Sequence, residues 1–445
     1  MLTLPRPSRL REAHCHLPML GRALSMIDVS MCRSLDEMLH ALRVCTHNAE
    51  GLITDNSSTF RADESRQWVI AIGMRIESWS DARWPTRQDL DRVFPDRPCI
   101  VRSFDFHSLV ANSAALGAAG VHRGTPDPSS GVFKRDEMGE LTGVALESAE
   151  SLIWKSVPEP SATERTQHLR AALAHLRSLG FVEAHDLKSP AWLGPELARM
   201  ADAGELDMHI ELYPMVEEAG QTMKSRQSWE RDHVRLGGFK LFADGTLNSR
   251  TAWMLHPYVD GMAEHPRGLP NWTPEQITEA VRIAERCGVA LATHAIGDAA
   301  VRAVLNAIEA VKSERIAPDI HHRIEHCEVV DPREVPRFAA LGAIASVQPC
   351  HLIYDIPVLT RALPDRLEHV LPLRDMMMAG CKPGELLWFG SDAPIVPADP
   401  IASIAAAVGR GELGLNDGVA AESLSIAAAQ ALTEENSWKA FVSRH

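Results

Sequence analysis

The sequence lacks several features that mark secreted, membrane-spanning and disulfide-rich proteins. Its eight cysteines, at positions 15, 32, 45, 99, 287, 327, 350 and 381, are scattered without CxxC spacing, which fits reduced thiols better than a disulfide framework. No apolar run approaches the roughly 18 residues that cross a bilayer. The N-terminus shows no basic segment followed by an apolar one, which would mark a signal peptide. We therefore expect a cytoplasmic protein with no membrane partner.

Clusters of positive charge are also missing. The formal net charge is −14, and lysine and arginine form no basic patch in the sequence, whereas nucleic-acid binding needs a Lys/Arg-rich face for the phosphates. We therefore expect no nucleic-acid partner. At 445 residues the chain could hold two or three average domains, yet a barrel with insertions can reach this length as one unit.

Two histidines one residue apart, His14 and His16, follow the short segment that begins at Leu10. In a β-strand, residues i and i+2 point to the same face, so the two imidazoles can converge on one cation. An isolated pair of this kind is more often a surface pair or a hydrogen-bonded core pair. The pair predicts half of a metal site because further histidines and an aspartate stand at the ends of other predicted strands.

After this strand the pattern breaks for a long stretch, and we predict an inserted subdomain over residues 18–160. Ser34 and Glu37 form a capping box at the start of a helix. Two strands are predicted near Val69 and Ile100, and a hairpin turns around Gly139. His107 could line a pocket in this insertion, although a structural role is the simpler interpretation.

From Ser161 onward, capped helices alternate regularly with short apolar strands, which is typical of βαβ units around a parallel sheet. Capping boxes are predicted at Ser161 with Glu164 and at Thr273 with Gln276. Eight strands are predicted, ending near His16, His185, Tyr213, Lys240, His294, His326, Gln348 and Asp392. We therefore predict the α/β class and a (β/α)8 TIM barrel, formed by residues 1–17 and 161–445, with a large insertion after strand 1.

The carboxyl ends of barrel strands meet at one face, so the polar residues there could form one site. Zinc and similar ions bind imidazole nitrogens and carboxylate oxygens, and a catalytic site keeps one position for water. His14 and His16 with Asp392 could hold one ion, and His294 with His326 could hold a second. A bound metal lowers the pKa of water from about 15.7 to about 7, which provides a nucleophile at neutral pH.

Lys240 does not fit a simple cation site, because a protonated ammonium repels metal ions. A neutral amine carboxylated by carbon dioxide would instead be an anionic oxygen ligand that bridges two metals. The alternative is a salt bridge from Lys240 to Asp244 or another carboxylate, and residue chemistry leaves both open.

Five motifs in this order resemble those of the amidohydrolase superfamily. They are His14-Cys15-His16, Phe239-Lys240-Leu241-Phe242-Ala243-Asp244-Gly245, Thr293-His294-Ala295-Ile296-Gly297-Asp298, Arg323-Ile324-Glu325-His326 and Gly390-Ser391-Asp392-Ala393-Pro394. The chain is most similar to the branch called amidohydrolase family 3, which includes YtcJ-like proteins and N-substituted formamide deformylase. The resemblance runs from residue 12 to about residue 430.

The resemblance implies a role for each matching residue. His14, His16, His294 and His326 would be metal ligands, with Lys240 as a carboxylated bridge. Asp392 would be both a ligand and the general base that passes a proton from water to the leaving amine. The implied cofactor is one or two divalent metal ions, with zinc expected and manganese or iron left open.

One departure from the family concerns a small β-sandwich beside the barrel. Family members usually begin with a strand segment before the HxH strand and finish with strands that complete the sandwich. Here His14 comes early, and residues 421–426 have a helix-like pattern. We therefore expect the sandwich to be absent, and a homo-oligomer is one way to cover the surface it would shield.

The leading hypothesis is a metal-dependent hydrolase that cleaves an amide-type, non-peptide C–N bond of a small-molecule substrate. The same scaffold could instead carry a deaminase of an aminated heterocycle, a lyase, or a catalytically silent barrel that binds a ligand. Candidate substrate contacts lie near the strand ends, at His107, His185, Asp244, Arg250 and His351. The choice of an amide rests on the family resemblance alone.

Overall fold

The computed structural model describes residues 7, 9–51, 68–76, 79–81, 83–104, 106, 108–128, 131–314, 319–408 and 432–443, without the side chains of 45–51. The chain divides into two compact units. The first comprises Met1–Leu20 and Ala172–His445, and the second comprises Gly21–Ala171. The domain boundaries predicted from the sequence, after residues 17 and 160, lie 3 and 11 residues before these divisions.

The strands and helices follow each other in a largely alternating order. The strands are β1 (Leu10–Cys15), β2 (Ile27–Asp28), β3 (Val69–Met74), β4 (Cys99–Ser103), β5 (Ser108–Ala111), β6 (Gly131–Arg135), β7 (Leu141–Glu147), β8 (Phe181–Leu187), β9 (His209–Tyr213), β10 (Val234–Leu236), β11 (Gly238–Phe242), β12 (Ala290–Ala295), β13 (Arg323–His326), β14 (Ile344–Val347) and β15 (Leu387–Phe389). The helices are α1 (Leu17–Leu24), α2 (Leu35–Gly51), α3 (Arg87–Asp91), α4 (Ser113–Ala118), α5 (Ser148–Trp154), α6 (Ala162–Ser178), α7 (Leu193–Asp202), α8 (Ala219–Trp229), α9 (Pro274–Cys287), α10 (Asp298–Val311), α11 (Val335–Leu341), α12 (Leu352–Ala362), α13 (Leu373–Met378), α14 (Pro400–Val408) and α15 (Glu434–Ala440).

Parallel strands form the core of the first unit, in two ladders. One ladder has the order β1-β8-β9-β10 and the other has the order β11-β12-β13-β14-β15. Single bridges join the two ladders, between Cys15 and Ala393 on one side and between Met215, just after β9, and Lys240 on the other. The eight predicted strands are thus all present.

The predicted closed barrel is borne out only in part, because no continuous ladder closes among the described residues. The short strand β10 was not predicted from the sequence. It pairs with β9 over Ile210 to Leu212, and Gly237 alone separates it from β11, which pairs with β12. Two backbone hydrogen bonds extend the contact with the β9 segment, from the Gly237 amide to the Leu212 carbonyl at 3.1 Å and from the Lys240 amide to the Pro214 carbonyl at 2.8 Å.

Helices of the first unit show why these sequence segments become helical. α9 begins with the predicted capping box, in which the Thr273 hydroxyl accepts the Gln276 amide and the Gln276 side chain accepts the Thr273 amide. The helix ends at Gly288, whose φ of 69° is in the left-handed region that glycine adopts without strain. Its buried stripe is Ile277, Ala280, Val281 and Ala284.

The second unit contains a mixed six-stranded sheet in the order β2-β3-β4-β5-β7-β6. The predicted hairpin is confirmed, since β6 and β7 pair antiparallel. The predicted capping box before α2 is confirmed in one half, in which the Ser34 hydroxyl accepts the Glu37 amide at 3.2 Å. In the other half the Glu37 carboxylate accepts the amide of Arg33 rather than that of Ser34. His107, which was singled out in this stretch, lies outside the described residues.

Two further observations concern the described residues as a whole. None of their helices is both long and apolar enough to cross a membrane. The cysteines whose side chains are described, at positions 15, 32, 99, 287, 327, 350 and 381, are free thiols.

Candidate metal centre

Three of the predicted ligands meet where β1 and the segment after β15 run side by side. The Asp392 amide donates to the His14 carbonyl at 2.6 Å, and the His16 amide donates to the Ala393 carbonyl at 2.9 Å. These backbone contacts place the carboxylate between the two imidazoles. Oδ1 of Asp392 lies 3.3 Å from Nε2 of His14 and 2.9 Å from Nε2 of His16.

The other ring nitrogen of each histidine is held by a hydrogen-bond acceptor. Nδ1 of His14 donates to Oε2 of Glu325 at 2.8 Å, and Nδ1 of His16 donates to the Leu187 carbonyl at 2.5 Å. Because these acceptors receive hydrogen bonds from Nδ1, each ring in its neutral form would present an unprotonated Nε2 toward Asp392. Two imidazole lone pairs and a carboxylate at this spacing form a donor set suited to a divalent cation.

His294, His326 and Lys240 lie beside this group. The ring centroid of His326 lies 5.0 Å from that of His14 and 4.4 Å from that of His294. Nε2 of His294 donates to the Gly245 carbonyl at 3.0 Å, which leaves Nδ1 as its free acceptor. Within the described part of the chain, Nδ1 of His326 and Nζ of Lys240 are buried without a hydrogen-bond partner. Buried polar atoms are usually paired, so unpaired ones next to a donor set fit a missing ligand.

Backbone strain coincides with two of these residues. Asp392 has a φ of 62° and His326 a φ of 72°, both in the left-handed region that non-glycine residues rarely adopt. Each such residue costs on the order of 1–3 kcal/mol and persists only where surrounding contacts enforce it. Strain of this kind clusters at functional sites, and here it aims a carboxylate and an imidazole.

The electrostatics of the site favour an anionic carboxylate beside the histidines. Burial alone would raise the pKa of Asp392, but hydrogen bonds and positive charge from His14 and His16 outweigh it and hold that pKa well below its usual range. Burial would lower the pKa of His16, but the Asp392 carboxylate prevails and raises it. Burial, assisted by the charge of Lys240, lowers the pKa of His294 to about 3, and burial lowers the pKa of Lys240 to about 8. Asp392 is therefore ionised and His294 neutral near pH 7, the forms that bind a metal, and a metal would displace the proton that His16 shares with Asp392.

Sequence reasoning did not assign roles to the residues that support this group. Oε1 of Glu12 accepts the His14 amide at 3.1 Å and the Ser391 amide at 2.8 Å, so it joins β1 to the segment carrying Asp392. Glu325 holds the His14 ring, as described above. A signal existed for Glu325, because Arg323 and Glu325 are two apart in a fully buried strand and so share a face.

Two of the predicted substrate contacts have structural partners near the loops after β11 and β12. Asp244 is buried, and its Oδ2 accepts the Trp253 amide at 2.8 Å and the Gly297 amide at 2.9 Å. Burial raises the pKa of Asp244 to about 7. Arg250 forms a bidentate pair with Asp260, at 2.6 and 2.5 Å. Their contact with a substrate stays a prediction.

The remaining predicted substrate contacts are placed differently. His351 lies beside the site, with its ring centroid 6.0 Å from that of His326 and its Nε2 donating to the Ser391 carbonyl at 3.2 Å. His185 is buried, and its Nδ1 accepts from Arg323 at 2.7 Å. His107 lies outside the described residues.

A second group of possible ligands, Glu183, His185 and Glu211, has donor atoms within 4.8 Å of one another. Nε2 of His185 donates to Glu183 at 2.8 Å, and the Tyr213 hydroxyl donates to Glu211 at 2.8 Å. The Arg323 guanidinium on Nδ1 of His185 already brings a positive charge to this group. Hydrogen bonds and charge therefore account for this group without a metal.

The comparison with known proteins agrees with the ligand-rich strand ends. A sequence model described as the Amidohydrolase family matches residues 10–445. The chain belongs to the amidohydrolase family. The matched range includes every residue of the candidate centre.

Individual proteins are similar to this chain in sequence or in structure. This chain is 32% identical over 408 residues to "Putative amidohydrolase YtcJ" of Bacillus subtilis (strain 168). The alignment covers 90% of this chain and 72% of that protein. The chain is 27% identical over 427 residues to N-substituted formamide deformylase of Arthrobacter pascens, covering 88% of this chain and 75% of that protein. An uncharacterized metal-dependent hydrolase from Pyrococcus horikoshii OT3 superposes with a TM-score of 0.73 at 24% identity, covering 96% of this chain and 78% of that one. The last comparison shows the fold.

Proposed function

We propose that this amidohydrolase family member is a metal-dependent hydrolase that cleaves an amide-type, non-peptide C–N bond of a small molecule. The observation that carries the proposal is the convergence of Nε2 of His14 and Nε2 of His16 on Oδ1 of Asp392, at 3.3 and 2.9 Å. Both rings are oriented by acceptors at Nδ1, which is how ligating histidines are normally held.

The residues that would hold the metal are His14, His16 and Asp392, with His294 and His326 beside them. We propose zinc, because a donor set of imidazoles and one carboxylate suits it, with manganese and iron as alternatives. When bound, such an ion polarises a carbonyl oxygen and makes water nucleophilic near neutral pH.

Asp392 is the proposed general base. Its carboxylate is buried, and the adjacent histidines lower its pKa, so it is ionised and able to accept a proton. As the water oxygen bonds to the carbonyl carbon, the water proton passes to Asp392. When the C–N bond breaks, Asp392 returns that proton to the leaving nitrogen, so the carboxylate is regenerated and the amine leaves neutral.

Lys240 is the proposed site of carboxylation. Its side chain is buried, its Nζ has no hydrogen-bond partner among the described residues, and burial lowers its pKa to about 8. A neutral amine can attack carbon dioxide, forming an N–C bond and releasing one proton, and the resulting carbamate is anionic. Wild-type protein equilibrated with ¹³C-bicarbonate should show a carbamate carbon by NMR that the Lys240→Met variant lacks.

The fold that we propose to accompany this chemistry is the (β/α)8 barrel expected for the family, carried by residues 1–17 and 161–445. The two single bridges, Cys15 with Ala393 and Met215 with Lys240, support it because they join the two ladders on both sides. The proposed amide class draws support from the relative named N-substituted formamide deformylase.

A substrate panel on the zinc-loaded protein tests the reaction. We expect turnover of N-substituted formamides or N-acyl amino acids with release of an amine. Turnover of aminated heterocycles alone would replace the amide assignment with a deaminase. Stoichiometric zinc without turnover of any compound would favour a ligand-binding barrel.

A further inference from the structure

Two neighbouring side chains of β13 reach the strand that carries the histidine pair. Oε2 of Glu325 accepts Nδ1 of His14 at 2.8 Å, and Nη2 of Arg323 donates to the Ala13 carbonyl at 2.5 Å. One contact holds the imidazole of His14, and the other holds the backbone immediately before it. Both side chains are fully buried.

The two contacts bridge strands that are not neighbours in a sheet. β1 belongs to the four-stranded ladder and β13 to the five-stranded ladder, and β1 pairs with β8 rather than with β13. The contacts therefore cross the interior between the ladders. They connect His14, in one ladder, to the strand that ends at His326, in the other.

The side chains of Arg323 and Glu325 form an ion pair that holds both in place. Nε of Arg323 lies 2.8 Å from Oε1 of Glu325, and the arginine is further held by Nδ1 of His185 at 2.7 Å. A buried ion pair whose members each have further partners has little freedom to reorient. Gln348 also approaches Nδ1 of His14, but its amide nitrogen is farther, at 3.3 Å, and it is uncharged. Glu325 is therefore the dominant partner of this nitrogen.

We propose that Arg323 and Glu325 form an interior clamp that positions His14 for metal binding. Glu325 selects the ring tautomer with Nε2 free and fixes the ring plane, while Arg323 orients Glu325 and anchors the Ala13 carbonyl. The proposal deepens the proposed function and rests on it in one respect, that His14 is a ligand. Arg323 and Glu325 are positioning residues and touch neither metal nor substrate.

The test measures zinc affinity of the full-length protein by competition with a chelator, for the wild type and for Glu325→Gln. We expect the variant to bind zinc roughly 10–100-fold more weakly, the loss typical of removing a carboxylate behind a ligating histidine. The matched control is Glu183→Gln, which removes a buried carboxylate from the other side of the Arg323 network without touching His14. Its zinc affinity should stay within about threefold of wild type, because its partners are His185 and Ser443.

A second readout reports on the His14 ring itself. In zinc-loaded protein with ¹⁵N-labelled histidine, we expect a protonated Nδ1 for His14, and in Glu325→Gln a shifted or exchange-broadened signal. If Glu325→Gln does not fold, Glu325→Asp keeps the charge but withdraws the carboxylate, and a weakened zinc affinity is expected there also.

Two results distinguish a failure of the proposed clamp from a failure of the proposed function. Folded Glu325 variants with wild-type zinc affinity and an unchanged His14 signal would overturn the clamp while leaving the metal site intact. A wild-type protein that binds no zinc would overturn the proposed function, and the clamp with it.

Discussion

His16 and Asp392, far apart in the sequence, face each other across 2.9 Å between Nε2 and Oδ1. The backbone of Asp392 is strained, and Nδ1 of His16 donates a hydrogen bond to the Leu187 carbonyl. The cation that we propose between these groups would account for the pairing.

Replacing Asp392 with asparagine should abolish turnover while the protein stays folded. The amide cannot accept and return the proton, so kcat should fall by at least roughly 10²–10⁴-fold, the usual contribution of general acid–base catalysis. Kinetics on the best substrate of the panel, with circular dichroism as the fold check, measure the effect. The control is Asp399→Asn on the same segment, where an exposed side chain accepts the Ile401 amide at 2.8 Å and a near-normal kcat is expected. Wild-type turnover by Asp392→Asn would remove the role assigned to this residue.

The places of the candidate ligands on strand ends could be predicted from the sequence, because the alternation of His14 and His16 and the order of the strands are local patterns. The supporting contacts could not. Glu12 joins two segments, and Glu325 reaches across the interior, and such pairings depend on how the ladders face each other. Arg250 and Asp260 pair within a single loop, where no periodic pattern in the sequence indicates which side chains meet. The short strand β10 alternates, with exposed Arg235 between buried Val234 and Leu236, but three residues are too few for such a pattern to stand out in the sequence.

His185 should matter for stability and not for metal binding. Its two nitrogens are used by Glu183 and Arg323, and removing the ring leaves buried charged groups without that partner. We expect His185→Asn to lower the free energy of unfolding by about 1–3 kcal/mol and to leave the zinc stoichiometry unchanged. Metal analysis and urea unfolding measure both, with His16→Asn as the variant that should lose zinc. Loss of zinc in His185→Asn instead would mean that the second group of ligands is the metal site.

Gly390 should tolerate no side chain, because β15 and β1 approach closely there. A Cβ at this position would lie 2.5 Å from the His14 amide nitrogen and 2.9 Å from Oε1 of Glu12. Gly390→Ala should therefore cost about 1–3 kcal/mol in unfolding free energy, as overpacking does, and should weaken zinc binding by displacing His14. The control is Gly220→Ala in α8, where a Cβ meets nothing within 4 Å and replacing a helical glycine should stabilise by about 0.5–1 kcal/mol. Equal behaviour of the two variants would contradict this account of the junction.

Asp89 should give the second unit a pH-dependent stability. Burial alone would raise the pKa of Asp89 from its ordinary value of 3.8. The hydrogen bonds from Arg83 and Thr86 prevail and lower that pKa to about 2. A lowered native pKa stabilises the fold above the unfolded pKa, and this contribution disappears as the pH falls through about 2. Asp89→Asn should lower the free energy of unfolding by about 1–2 kcal/mol at neutral pH, a range that allows for the exposure of Arg83. The difference in unfolding free energy between the variant and the wild type should shrink between about pH 4 and pH 2. Urea unfolding over that range tests this, with the exposed Asp96→Asn as the control.

The central claim is tested most directly by a crystal structure of the zinc-loaded protein with anomalous scattering measured at the zinc edge. We expect an anomalous peak bonded to Nε2 of His14, Nε2 of His16 and the carboxylate of Asp392. Absence of zinc from this position, or a peak confined to Glu183, His185 and Glu211, would contradict the account.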